Sequence, residues 1–107
     1  MTEAANRISV VIADDHPVVR SGLRTLLEAE EDLEVLAEAA DADEALRKVS
    51  AYKPEVVVLD LVMPGTSAID SIPALREAGE GTQVVVLTMQ SDPAYARAAL
   101  RLSLIHI

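Results

Sequence analysis

Carboxylates stand at the ends of two of the chain's aliphatic runs. "VVIADDHP", residues 10–17, closes a β-branched run on Asp14 and Asp15 ahead of His16 and Pro17, and "VVVLD", residues 56–60, closes on Asp60. Three carboxylates brought together repel and raise one another's pKa unless a cation neutralises them. Oxygen donors of this kind suit a hard divalent ion, with Mg2+ the leading choice. A third run, "VVVLT" at 84–88, adds the hydroxyl of Thr88 in the same relative position. In an open parallel sheet ligands gather at the carboxyl ends of the strands, so all four residues are expected on one rim. Nothing comparable marks the other ends of the runs. His16 has no second His or Cys near it and reads as a solvent-facing residue opening a helix. Asp15 could also cap that helix, a role compatible with holding a metal.

The elements that must position these groups follow from periodicity. "ISVVIA" (8–13), "EVVVLDL" (55–61) and "QVVVLT" (83–88) lack polar alternation, as strands buried on both faces of a parallel sheet do. "LEVLAEA" (33–39) alternates, with Leu33, Val35 and Ala37 on one face and Glu34 and Glu38 intruding on the other, which predicts an edge strand. Helical stripes separate the strands: Val19, Leu23, Leu26 and Leu27; Ala45, Leu46, Val49 and Tyr52; Ile69, Ile72 and Leu75; and Tyr95, Ala98, Ala99 and Leu102. Asp41 or Asp43 can cap the second helix, and Pro17 and Pro93 suit a first helical turn. Pro73 predicts that the third helix starts near Ser71 or bends. The order βα, four times over, specifies a single α/β domain.

Composition narrows the function classes. Against 18 acidic residues there are 9 basic ones, and the net charge of −9 disfavours direct contact with nucleic acid phosphates. With no cysteine there is neither a disulfide framework nor thiolate chemistry, which is compatible with a reducing cytosol. No apolar run is long enough to span a bilayer, and residues 1–7, "MTEAANR", lack the features of a secretory signal and read as a leader before the first strand. A cytoplasmic, soluble protein is expected.

Taken together, "VVIADDHPVVRSGLRTLLE", "VVVLDLVMPG" and "VVVLTM" resemble the receiver domain of two-component response regulators, in the branch whose receivers precede a helix-turn-helix output domain. The resemblance runs from residue 8 to about residue 101. It implies a flavodoxin-like, doubly wound parallel sheet of strand order 2-1-3-4, with the fifth strand and helix missing. It also implies that Asp60 accepts a phosphoryl group from a sensor histidine kinase, that Mg2+ is held by Asp14, Asp15, Asp60 and the carbonyl of Val62, and that Thr88 is a switch hydroxyl. By the same resemblance, DNA would be reached only through an output domain absent from this chain, and phosphorylation could drive homodimerisation. The sequence departs from the family in three places. Ala68 falls where a second glycine is usual after "MPG", and a positive φ there would strain an alanine. No lysine follows Lys53 and no aromatic residue follows Tyr95, although the family's fifth strand carries both. The last six residues, "LSLIHI" (102–107), have no family counterpart and can be encoded by a transposon-end adapter sequence, so a non-native tail is expected. Two other classes compete: a Mg2+-dependent phosphohydrolase with Asp60 as nucleophile, and a receiver-like interaction module that is not phosphorylated.

Overall fold

The computed structural model describes residues 7–60 and 68–87. Strands β1 (Ile8–Ala13), β2 (Leu33–Ala39), β3 (Val56–Asp60) and β4 (Gln83–Leu87) alternate with helices α1 (Pro17–Glu28), α2 (Ala42–Tyr52) and α3 (Ala68–Ala78). The strands form one parallel sheet in the order β2-β1-β3-β4, as the resemblance implied. Thr88, Val62, the fourth helical period and the "LSLIHI" tail lie outside the described residues.

Two of the three unbroken aliphatic runs, β1 and β3, became central strands with both faces covered; the third, β4, lies at the edge of the described sheet with Val86 37 % exposed, so the expectation of burial on both faces is corrected there. Val10, Ile12, Val56, Val58, Val85 and Leu87 line one face and form a single cluster with Leu23 and Leu27 of α1. Val11, Ala13, Val57 and Leu59 pack on the other face, against Ala45 and Val49 of α2 and Leu75 of α3. Each fully buried aliphatic side chain contributes about 1.5–3 kcal/mol relative to exposure.

β2 departs from simple alternation. Its pairing with β1 slips by one residue: Val10 pairs with Val35, but Val11 pairs with Ala37, which leaves Leu36 as an extra residue. The expectation that Leu33, Val35 and Ala37 share a face is therefore corrected. Leu33 and Val35 join the α1 side, and Ala37 and Ala39 join the α2 side. An inserted residue reverses the facing of everything after it, because side chains alternate with a period of two. The slip also carries Glu38 to the α1 face, where it pairs alongside Ile12.

Two helical expectations change as well. On α2 the buried stripe is Ala42, Ala45 and Val49, while Leu46 and Tyr52 are exposed. Asp41, not Asp43, is the N-cap: its carboxylate accepts the N–H of Glu44 at 2.7 Å, and the Glu44 carboxylate accepts that of Ala40 at 2.6 Å. α3 starts at Ala68 rather than Ser71 and runs through Pro73, which stays exposed. An interior proline costs a helix about 3 kcal/mol, and the complete burial of Leu75 two residues later helps to offset it. Ala68 opens this helix and is not among the residues of positive φ, which among those described are Lys53, Glu80 and Gly81.

Candidate functional site

The site begins where β1 ends. Asp14 is 1 % exposed, and its N–H donates to the carbonyl of Ala39 at 3.0 Å, which extends the ladder one residue beyond the strand. Its carboxylate turns back on the chain, Oδ1 accepting the N–H of His16 at 2.8 Å. Pro17, at the start of α1, lacks an N–H and needs no such partner. The N-cap of α1 is His16, whose side chain makes no capping hydrogen bond. Asp14 therefore orders the turn into the helix, and the capping role considered for Asp15 is not the one observed.

Asp60 ends β3, the next strand in the sheet, and is buried. Because Ala13 pairs with Leu59, Asp14 and Asp60 leave adjacent strands at the same level. Asp15 is half-buried beside them. Asp14, Asp15, His16 and Asp60 each offer a ligand atom, and those atoms all lie within 4.8 Å of one another. The expected carboxylate cluster is thus brought together. His16 is added to it, although the sequence placed this residue in solvent. Its side chain is 65 % exposed, yet Nδ1 stands 2.9 Å from Asp15 Oδ1 and 3.6 Å from Asp14 Oδ1.

Two oxygens in this cluster, Asp14 Oδ2 and Asp15 Oδ1, are buried without a hydrogen bond; the approach of His16 to the latter does not meet hydrogen-bond geometry. A buried carboxylate oxygen left without a donor costs free energy unless a cation answers it. Three carboxylates, two of them with an oxygen still to be satisfied, form a donor set that fits a hard, oxygen-seeking divalent ion such as Mg2+.

Behind the loop lies a charged brace that sequence reasoning did not assemble. Arg20 on α1 donates through a terminal nitrogen to the carbonyl of Asp14 at 2.7 Å and through Nε to Glu38 at 2.8 Å. Arg24, one turn on, donates to the other oxygen of Glu38 at 2.6 Å and lies 3.3 Å from Glu28. The hydrogen bond from Arg24, helped by that from Arg20, outweighs burial and holds the Glu38 carboxyl below its ordinary range; the same bond raises Arg24. The available signal was Glu38 itself, a carboxylate intruding into an apolar strand, together with two arginines spaced i and i+4.

Comparison with known proteins agrees with this geometry. The family profile described as "Response regulator receiver domain" matches residues 10–106. The oxygen regulatory protein NreC of Staphylococcus haemolyticus is 43 % identical over 95 residues, which cover 88 % of this chain and 44 % of that protein. The chain thus spans less than half the length of the curated relatives it matches. Among solved structures, the receiver domain of the response regulator NarL from Mycobacterium tuberculosis superposes with a TM-score of 0.73 at 32 % identity, covering 90 % of this chain and 77 % of that one. The isolated receiver domain of RcsB from Salmonella enterica serovar Typhimurium, solved in the presence of the phosphomimetic BeF3−, gives 0.72 at 34 % identity, covering 92 % and 73 %.

Proposed function

The chain belongs to the response regulator receiver domain family, and from that premise we propose that it is a phosphoacceptor in two-component signalling, with Asp60 as the acceptor. A carboxylate oxygen of Asp60 attacks the phosphorus of a phosphohistidine on a sensor kinase. The P–N bond breaks, an acyl phosphate forms, and the kinase imidazole leaves and takes up a proton. Asp14, Asp15 and Asp60, with the backbone carbonyl of Val62, would hold Mg2+. When bound, the ion neutralises charge on the transferring phosphoryl oxygens. The bond from Asp14 Oδ1 to the His16 N–H keeps that carboxylate turned toward the site. The hydroxyl of Thr88 then hydrogen-bonds the new phosphoryl group. The domain acts in the cytoplasm, controls transcription through an output domain outside this chain, and can dimerise on phosphorylation.

The single observation that carries this reading is the position of Asp60, buried at the end of a central strand and within 4.8 Å, ligand atom to ligand atom, of the Asp14 and Asp15 carboxylates. The test is incubation with a small acyl phosphate and Mg2+, followed by intact mass measurement. The parent should gain one phosphoryl group and Asp60→Ala none. Equal incorporation by the two proteins would overturn the assignment, and steady turnover of a phosphate ester would make the protein a phosphohydrolase instead. Mg2+ removal by a chelator should abolish uptake. Asp15→Ala should weaken Mg2+ more than Asp14→Ala, whose carboxylate already spends one oxygen on the His16 N–H.

A further inference from the structure

His16 is the one member of the cluster that the proposed phosphotransfer does not use, and it differs from the others in chemistry and in freedom. Its main chain is held: the N–H is bound by Asp14 at 2.8 Å, φ and ψ are −94° and 111°, and Pro17 favours that extended conformation in the residue before it. Its ring is tied only by the approach of Nδ1 to Asp15 Oδ1 at 2.9 Å. The side chain is 65 % exposed, without a capping bond, and can turn about its own torsions while its root stays at the edge of the site. One ring nitrogen already lies within 4.8 Å of a ligand atom from each of the three carboxylates, and Nδ1 stands 2.9 Å from Asp15 Oδ1.

The donor set therefore has two forms. With the ring turned out, only oxygens face the site, the set preferred by Mg2+, which binds oxygen and parts reluctantly with its water. With the ring turned in, an imidazole nitrogen joins them. That addition does little for Mg2+ but much for Co2+, Ni2+ and Zn2+, which bind imidazole readily and stand above the hard ions in intrinsic affinity. Asp14 Oδ2, buried on a residue only 1 % exposed and lacking a hydrogen bond, is an independent sign that the cluster is built to receive a cation. We propose that His16 is a facultative fourth ligand, so that a borderline divalent ion, Zn2+ above all, competes with Mg2+ at this site and is held there by Nδ1. The inference rests on the carboxylates being the Mg2+ site, as set out above.

The test is calorimetric titration of the whole chain with Mg2+ and with Zn2+ alone, for the parent, His16→Gln, His106→Gln and Asp60→Asn. The chain has two histidines, so His106→Gln is the control for adventitious imidazole binding and should behave as the parent. His16→Gln should lower the ratio of Zn2+ to Mg2+ affinity about tenfold or more. If the two affinities fall together, or neither moves, His16 is only an ionic neighbour of Asp15 and the proposal is overturned. Asp60→Asn should weaken both ions. If it weakens neither, the ions bind elsewhere, and the carboxylate site fails together with its fourth ligand. Should His16→Gln fold poorly, nitrogen-detected resonances of the parent settle the matter: Zn2+ must shift His16 Nδ1 to a metal-bound position, and an Nδ1 signal unmoved at Zn2+ saturation overturns the proposal.

Discussion

The two rims of the sheet treat their polar groups in opposite ways. At the amino rim, where strands begin, polar groups close on one another. Ser9 Oγ accepts the N–H of Glu55 at 2.9 Å, the buried Thr82 hydroxyl donates to the carbonyl of Pro54 at 2.7 Å, and Lys53 meets Glu80 at 2.9 Å. Lys53 and Glu80 both take left-handed φ values to make these turns. At the carboxyl rim, Asp14, Asp15, His16 and Asp60 converge, and two carboxylate oxygens are buried with no hydrogen bond. One rim spends its polar groups on stability, and the other holds charge in reserve for a ligand. The arrangement at the carboxyl rim is tolerable because Arg20 and Glu38 brace the loop from behind.

The largest expected effect is at the amino rim. A Cβ added at Gly79 would fall 1.6 Å from Thr82 Oγ1, so Gly79→Ala must displace either the buried hydroxyl or the turn. We expect it to destabilise by about 3 kcal/mol in urea unfolding. Thr82→Val keeps the shape but strands the Pro54 carbonyl, for an expected loss of about 2 kcal/mol. If both substitutions proved neutral, the amino rim would not be the stabilising one.

Asp14→Asn should act in the opposite direction. The amide retains an oxygen for the His16 N–H and removes a buried charge, so without divalent ions the variant should be more stable than the parent by about 1 kcal/mol. Mg2+ should then stabilise the parent and do much less for the variant, because only a folded site binds the ion. Thermal melts with and without Mg2+ test both halves, and a less stable variant in chelator would erase the contrast between the rims.

The smallest effect concerns the brace. Glu38 is held below the ordinary glutamate value of 4.5, so its contribution is complete above that pH and is lost as pH falls through the lowered folded value. Because Arg24 is 42 % exposed, solvent screening limits the gain to less than about 1 kcal/mol. Glu38→Gln should be slightly less stable than the parent at neutral pH, and the two stability curves should converge below pH 4.5. A constant difference across that range would show that the ion pair is not the source.

By itself the sequence determined the strands, the first two helices, the edge position of β2 and the rim on which Asp14, Asp15 and Asp60 meet. Unbroken β-branched runs favour cover on both faces, which β1 and β3 have and β4 lacks, and a carboxylate at the end of such a run has only the strand end to occupy. Only the tertiary structure decided the rest. The slip falls at Leu36, the one residue that interrupts the alternation of "LEVLAEA", but the break alone does not say that the register shifts there; pairing with β1 and the packing of helices on both faces select the slip, and with it the meeting of Glu38 with Arg20 and Arg24. Leu46 and Tyr52 fit the α2 stripe by period, but the helix settles with Ala42, Ala45 and Val49 inward and leaves both exposed. Pro73 lies inside α3 because the burial of Leu75 outweighs a local preference. His16 joined the site for the same kind of reason: its nearest contacts are its sequence neighbours Asp14 and Asp15, but the four-residue cluster exists only because folding brought Asp60 to it from a strand 44 residues away. Local pattern carries period and breakers, while register, covering area and the meeting of distant side chains exist only once the elements have packed.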